Sequence, residues 1–293
     1  MAGKIDRRTL LSGMGAATAT GALGVGLNPS TAKAASRTTI DFSSDAENVK
    51  AYAKLGGTIE DGSVYYWYSG TIYGVTKEAT KPLVGWTGLL KMVWKNLGNG
   101  SFHYRNFDLA YFTEPGSSKR IEEFENSFTG EKNHPIDVKG GPFDVVIEPK
   151  QYKWDRFGDD IFMVEPKHFR FQNKLDPDEW PLASTGKTLN MLYIDGFSGK
   201  LSDLENDDLV SAPALLSVHH VNPWYPFFLV GKSEGVNYWH GQGKKVFDLS
   251  EVTPELLKYC EDTVPGFFES DTPWPARQDS YTDYKLHRKP IDK

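Results

Sequence analysis

Aromatic and β-branched residues gather in short runs along most of the chain, and polar, Gly- and Pro-rich stretches separate them. Residues 64–73 (Val-Tyr-Tyr-Trp-Tyr-Ser-Gly-Thr-Ile-Tyr) and 102–112 (Phe-His-Tyr-Arg-Asn-Phe-Asp-Leu-Ala-Tyr-Phe) are the densest. Such side chains suit a pleated, half-buried surface, so both runs predict strands. Residues 143–147, 168–172, 190–194 and 236–240 read the same way. Gly98-Asn99-Gly100, Glu114-Pro115-Gly116-Ser117 and Gly140-Gly141-Pro142 are turn signals between them. Many short strands that do not alternate with helices predict a mainly β (α+β) fold. The expected form is an antiparallel, strongly curled sheet or β-barrel with a few short peripheral helices, not a doubly wound parallel sheet.

Two segments carry helical signals. Ser44-Asp45-Ala46-Glu47 has the spacing of a capping box, Val49, Tyr52 and Ala53 form an apolar stripe, and Gly56-Gly57 stop the run. Thr253-Pro254 opens a second helix that buries Leu256, Leu257 and Cys260 and ends before Pro265.

The first 34 residues have another pattern. Arg7-Arg8 precede a weakly apolar, Gly- and Thr-rich stretch from Thr9 to Leu27, and Ala32-Lys33-Ala34 before Ala35 is a small-x-small cleavage signature. Residues 1–34 therefore predict a cleaved twin-arginine signal peptide, and 35–293 a single β-rich, barrel-like domain. The expected location is periplasmic or secreted in a bacterium, with the twin-arginine export machinery as a partner and no stable membrane anchor. The leader carries a net +3 of a whole-chain charge of -6, which leaves -9 on the rest. An acidic body lacks the clustered cations that phosphate contacts need, so nucleic acid is excluded as a partner. The single cysteine, Cys260, cannot form an internal disulfide and reads as a small buried hydrophobe.

Familiar catalytic motifs fail. Thr185-Gly186-Lys187-Thr188 lacks the earlier glycine of a phosphate loop, because Pro181 occupies that place. Gly196-Phe197-Ser198-Gly199 misses the nucleophile-elbow spacing, and Gly241-Gln242-Gly243 lacks a third glycine and a following helix.

Several segments, taken in order, resemble a family of bacterial and fungal proteins catalogued as domain of unknown function 1838. Phe124-Glu125-Asn126-Ser127-Phe128-Thr129-Gly130-Glu131 resembles the family's Trp-Arg-Asn-Pro-aromatic-Thr-Gly-Glu turn, departing at Phe124, Glu125 and Ser127. Gly140-Gly141-Pro142-Phe143 follows, then Pro223-Trp224-Tyr225-Pro226-Phe227-Phe228-Leu229-Val230-Gly231 with Gly241-Gln242-Gly243-Lys244, then Thr253-Pro254-Glu255-Leu256. The resemblance spans roughly residues 55–285. It implies architecture and export, and brings no activity with it.

Candidate chemistry centres on His219-His220, just before Pro223-Trp224-Tyr225-Pro226. In an extended segment the two imidazoles point to opposite faces, so one of them can reach a barrel interior as acid or base. His168, Arg170 and Gln172 share one strand face. If that face looks inward it supplies an acid/base group and a guanidinium for a developing oxyanion. His103 and Arg105 repeat the pattern, and Tyr238 and His240 share a face. The expected catalytic set is His220, His168, Arg170 and His240, with Tyr66, Tyr104, Trp224 and Tyr238 binding substrate. Tyr65, Trp67, Tyr68, Trp239 and Trp274 could extend that aromatic wall. A metal would need His219 or His220 with His240, His168 and a carboxylate. The spacings match no finger or zincin, so no metal and no cofactor are expected. The expected function is binding and acid–base transformation of a small hydrophobic or aromatic molecule in a barrel pocket, of isomerase or lyase type. The alternative is a lipocalin-like carrier without catalysis.

Overall fold

The computed structural model describes residues 36–269, 276 and 280–289. The stretch read as an export leader, and Trp274, lie outside the described residues. Among the described residues no helix is long and apolar enough to cross a membrane.

Helix α1 (Asp45–Gly56) comes first. Strands β1 (Gly62–Val75), β2 (Thr80–Asn96) and β3 (Phe102–Thr113) follow as a meander. The short β4 (Phe124–Glu125) and β5 (Lys132–Asn133) form a separate hairpin. Then come β6 (Val138–Ile147), β7 (Trp154–Phe157), β8 (Asp160–Gln172) and β9 (Thr188–Lys200). A one-turn α2 (Leu201–Leu204), β10 (Leu215–Asn222), β11 (Val236–Val246), α3 (Pro254–Thr263) and α4 (Ser280–His287) complete the order. Nine strands make one antiparallel sheet in the order β6-β3-β2-β1-β11-β10-β9-β8-β7, curled into a half-barrel. The curl is open: β6 and β7 are its two edges.

Each expected strand forms, and most run longer than their densest stretch. Gly140-Gly141-Pro142 is not a turn between strands. It lies inside β6, where the register with β3 shifts between Asn106 and Asp108. Strand β2 carries no dense aromatic run and contains Pro82, Gly85, Gly88, Lys91 and Lys95, yet it spans 17 residues.

The sheet is covered on both faces. The inner face packs the main core, including Tyr66, Ile72, Trp86, Trp94, Phe112, Met163 and Trp239, against α1 and the segment around a 3-10 turn at Pro226–Phe228. On the outer face, Leu256 and Cys260 of α3 pack over Tyr65, Leu89, Phe107 and Leu109 of β1–β3. The expected α3 start holds: Pro254 occupies the first turn behind Thr253. At α1 only half of the capping box closes. Ser44 Oγ accepts from the Glu47 N–H at 3.4 Å, while the Glu47 carboxylate reaches past it to the Asp41 N–H at 2.6 Å.

Helix α1 stops at Gly57 for lack of space. A Cβ there would stand 1.9 Å from the Trp94 indole. Three buried lysines then fasten neighbouring segments: Lys91 of β2 and Lys245 of β11 from the sheet, and Lys54 from α1. Lys245 Nζ donates to Lys54 O (3.2 Å), Gly57 O (2.9 Å) and Ser211 Oγ (3.1 Å). Lys54 Nζ donates to Leu204 O and Asn206 O, and Lys91 Nζ to Phe267 O and Glu269 O beyond α3. An ammonium suits these carbonyl ends because unpaired helix C-terminal carbonyls carry partial negative charge. Burial pushes Lys245 down to about 7.

The β4–β5 hairpin clamps the 3-10 turn. Asn126 Nδ2 donates to Phe228 O at 2.6 Å, and Asn133 Nδ2 to Phe227 O at 3.1 Å. Asn126 Oδ1 also accepts from the Phe128 N–H. Just beyond the turn Leu229 has φ 54°, a left-handed conformation that side chains with a Cβ avoid. The clamp holds the chain in it. Asn126→Ala removes a fully buried amide and orphans two backbone groups, so it should cost about 2 kcal/mol of stability in urea unfolding. A loss within error of zero would show that the clamp holds nothing.

Candidate functional site

Cross-strand partners in an antiparallel sheet share a face, so the register assigns every side chain a side. One inward row runs Tyr193 (β9), His220 (β10), Trp239 (β11), Ile72 (β1), Val84 (β2). Two residues further along β9, Asp195 faces the same way. His220 Nε2 lies 2.7 Å from Asp195 Oδ1, and the imidazole stacks on the Tyr193 ring at 3.7 Å with 8° between planes. Among the described residues His220 Nδ1 has no hydrogen-bond partner. In the neutral tautomer whose Nε2–H donates to the carboxylate, Nδ1 is the lone-pair nitrogen. Both side chains touch solvent, at 18% exposure for His220 and 34% for Asp195.

A second carboxyl enters from the other wing. Asp108 of β3 is inward because it pairs with Leu90, which pairs with Tyr66. The Tyr68 hydroxyl of β1 donates to Asp108 Oδ1. To do so the tyrosine must cross β2. It passes over Gly88, its direct partner, where a Cβ would stand 2.3 Å from the phenolic oxygen. Burial raises the Asp108 carboxyl to about 6; the Tyr68 hydrogen bond and the His220 imidazole pull it down, and the Asp195 carboxylate pushes it up. Tyr68 with Asp108, and His220 with Asp195, are thus two hydrogen-bonded inward pairs on four different strands, and the second pair acts on the Asp108 carboxyl through its charges; together they form the candidate cluster. Tyr68 is driven well above its ordinary value by burial and by Asp108, so it stays a proton donor. Two residues before Asp108, the inward Asn106 Oδ1 is buried without a partner.

The cluster does not sit in a wide hollow. Aromatic rings fill most of the concave face: Tyr68 with Trp86 at 4.9 Å, Trp86 with Trp239 at 5.2 Å, Tyr225 with Trp239 at 5.3 Å. The cluster meets solvent in a trough of this face at His220 and Asp195. Two surface hollows lie elsewhere. One of about 700 Å³ lies beside α4, bordered by Arg120, Asp137, Lys139 and His287, and one of about 250 Å³ by His168, Arg170 and Asn190; neither holds a residue of the cluster.

The eight sequence-selected residues separate by face. His220 lies in the cluster. Tyr104 is inward and buried, 4.8 Å from the Trp94 ring. Tyr66 is inward but sealed, donating to Leu55 O at the end of α1, and Trp224 is sealed against Phe128 and Phe228. His168 and Arg170 are exposed on the outer face. Their partners Leu192 and Asn190 alternate with the inward Tyr193 and Met191. Tyr238 and His240 are also outward, beside His219. His103 and Arg105 face outward too, both bonded to Asp144. The combination of His219 or His220 with His240, His168 and a carboxylate does not assemble, and among the described residues no group of three His, Cys, Asp or Glu converges. Asp108 and Asp195 carried a signal that the sequence reading passed over: each is a lone carboxylate in an otherwise apolar or aromatic strand row, where burial is costly.

The fold and cluster define an antiparallel half-barrel with two hydrogen-bonded pairs, Tyr68–Asp108 and His220–Asp195, on its concave side. The chain belongs to the family described as Protein of unknown function (DUF1838), whose model matches residues 61–289. Nothing among the curated proteins matches it.

The family-like segments 124–131 and 223–231 meet in space through the Asn126 and Asn133 clamp. The second of them delivers Tyr225, whose ring lies 5.3 Å from that of Trp239, the cross-strand partner of His220.

Asp108 gives a pH signature. Its folded pKa is raised, so the stability it contributes is complete below the unfolded value and is lost as pH climbs through about 6. Asn cannot ionise and still accepts from Tyr68. Asp108→Asn should therefore be more stable than the parent at pH 8, by up to roughly 3 kcal/mol, and equal to it near pH 4. A difference independent of pH, in melts run across this range, would refute the assignment. Gly88→Ala should displace the Tyr68 hydroxyl, which holds the carboxyl down, and so raise the Asp108 carboxyl further and widen that pH dependence.

Proposed function

We propose that the protein performs acid–base chemistry on a small hydrophobic or aromatic carbonyl compound at the open part of the trough, as an isomerase or lyase without a cofactor. The observation that carries the reading is the pairing of a free His220 Nδ1, oriented by Asp195, with an Asp108 carboxyl held near 6. General acid–base catalysis works best with groups that titrate close to the working pH. His220 Nδ1 removes a proton from the carbon beside the carbonyl. Protonated Asp108, with Tyr68 bonded to its other side, donates to the developing oxyanion. Return of the proton to a different carbon completes an isomerisation, and loss of a β-substituent completes an elimination. Tyr193 and Tyr225, both half-buried, offer flat apolar surface to the rest of the substrate. Export by the twin-arginine route, with periplasmic or secreted location, is part of the proposal and rests on residues 1–34 alone.

The test is proton exchange in heavy water. Cyclic and aryl ketones are incubated with the full domain, and loss of the α-proton signal is followed by NMR. The parent should accelerate exchange for a subset of them, and Asp108→Asn and His220→Gln should each slow it about 100-fold or more. Ketones that bind, seen by quenching of tryptophan fluorescence, without any exchange would favour the carrier reading. Exchange untouched by both substitutions would remove these residues from the chemistry.

A further inference from the structure

The outer face of β10 and β11 carries a second cluster that the trough does not use. His219 and His240 are direct cross-strand partners. Their Nδ1 atoms stand 3.4 Å apart, and the ring planes are 32° from parallel. The Tyr238 hydroxyl lies 2.7 Å from His219 Nδ1. Two imidazole nitrogens bound to one tetrahedral ion at about 2.0–2.1 Å are roughly 3.3–3.4 Å from each other. The pair therefore already has a tetrahedral bite, set by two hydrogen-bonded strands and not by a mobile loop.

We propose that His219 Nδ1 and His240 Nδ1 chelate a divalent transition-metal ion on the outer face of the sheet, with the Tyr238 phenol as a third donor and water completing the shell. Nitrogen donors of this kind select zinc or copper over magnesium or calcium, which require oxygen. The phenol already stands within hydrogen-bond distance of one of the two ligating nitrogens. His240 is exposed, so the ion enters from solvent without opening the fold. Burial, and then the neighbouring His240, hold the His219 imidazole toward its neutral, ligating form. The site lies on the opposite face from His220 and is independent of the proposed reaction.

Isothermal titration of the metal-free chain with zinc chloride tests it, with copper(II) spectra alongside. One ion per chain should bind, and the copper spectrum should carry splitting from two imidazole nitrogens. His219→Ala and His240→Ala should each weaken binding about tenfold or more, Tyr238→Phe by less. His168→Ala, an exposed histidine on the same face, should leave it unchanged. Saturating zinc should raise the melting temperature of the parent by about 5 °C and that of His240→Gln by none. Binding that survives His240→Ala, that falls equally in His168→Ala, or that never saturates in the parent overturns the proposal. Melting of each variant without metal, expected to match the parent, separates lost ligands from lost fold.

Discussion

Much of the structure depends on rings lying flat across strands where the facing residue has no side chain. Tyr68 can meet Asp108 only because β2 presents Gly88 beneath it, and α1 can end against the sheet only because Gly57 leaves room for Trp94. An aromatic side chain buries a large apolar area at low entropic cost, but on a pleated sheet it needs a neighbour that gives way. Here the neighbour is glycine, and the result is a concave face filled by rings instead of a hollow. The same packing carries a hydroxyl across an intervening strand to a carboxyl that its own strand never touches.

That arrangement explains how an open sheet supports charged groups on its inner side. A buried carboxyl without partners would not survive in its ionised form. Asp108 has one phenolic donor and remains near neutrality, while Asp195 sits closer to solvent and is bonded to an imidazole. The two carboxyls thus differ by environment, not by type. The lysines follow a related logic at the periphery. Lys54, Lys91 and Lys245 are buried, but each ends among backbone carbonyls. They fasten α1, α2 and the segment beyond α3 to the barrel wall.

The strands of β1, β3 and β11 were legible because aromatic and β-branched residues dominate them. Strand β2 was not: glycine, proline and lysine break its pattern, and each break has a tertiary reason, such as Tyr68 over Gly88 or Lys91 reaching the chain beyond α3. Gly140-Gly141-Pro142 looked like a turn because local chemistry is the same in a turn and in a bulge. Face was harder still. Period-two alternation separates His219 from His220 but does not say which looks inward when both faces of a sheet are partly covered. The polar rows of His168 with Arg170, and of His103 with Arg105, turned outward, where their charges keep water or pair with Asp144. The inward groups, Asp108 and Asp195, were single acidic letters between hydrophobic ones. Their partners, Tyr68 and His220, stand far from them in sequence.

Cys260 lies under α3 with no exposed surface, and burial pushes its thiol up, away from the reactive thiolate. It is also the sole sulfhydryl of the chain. An alkylating reagent therefore meets it only in molecules whose outer layer has come apart. The protein carries a built-in gauge of its own opening, readable by mass one adduct at a time, in any compartment where the chain is found.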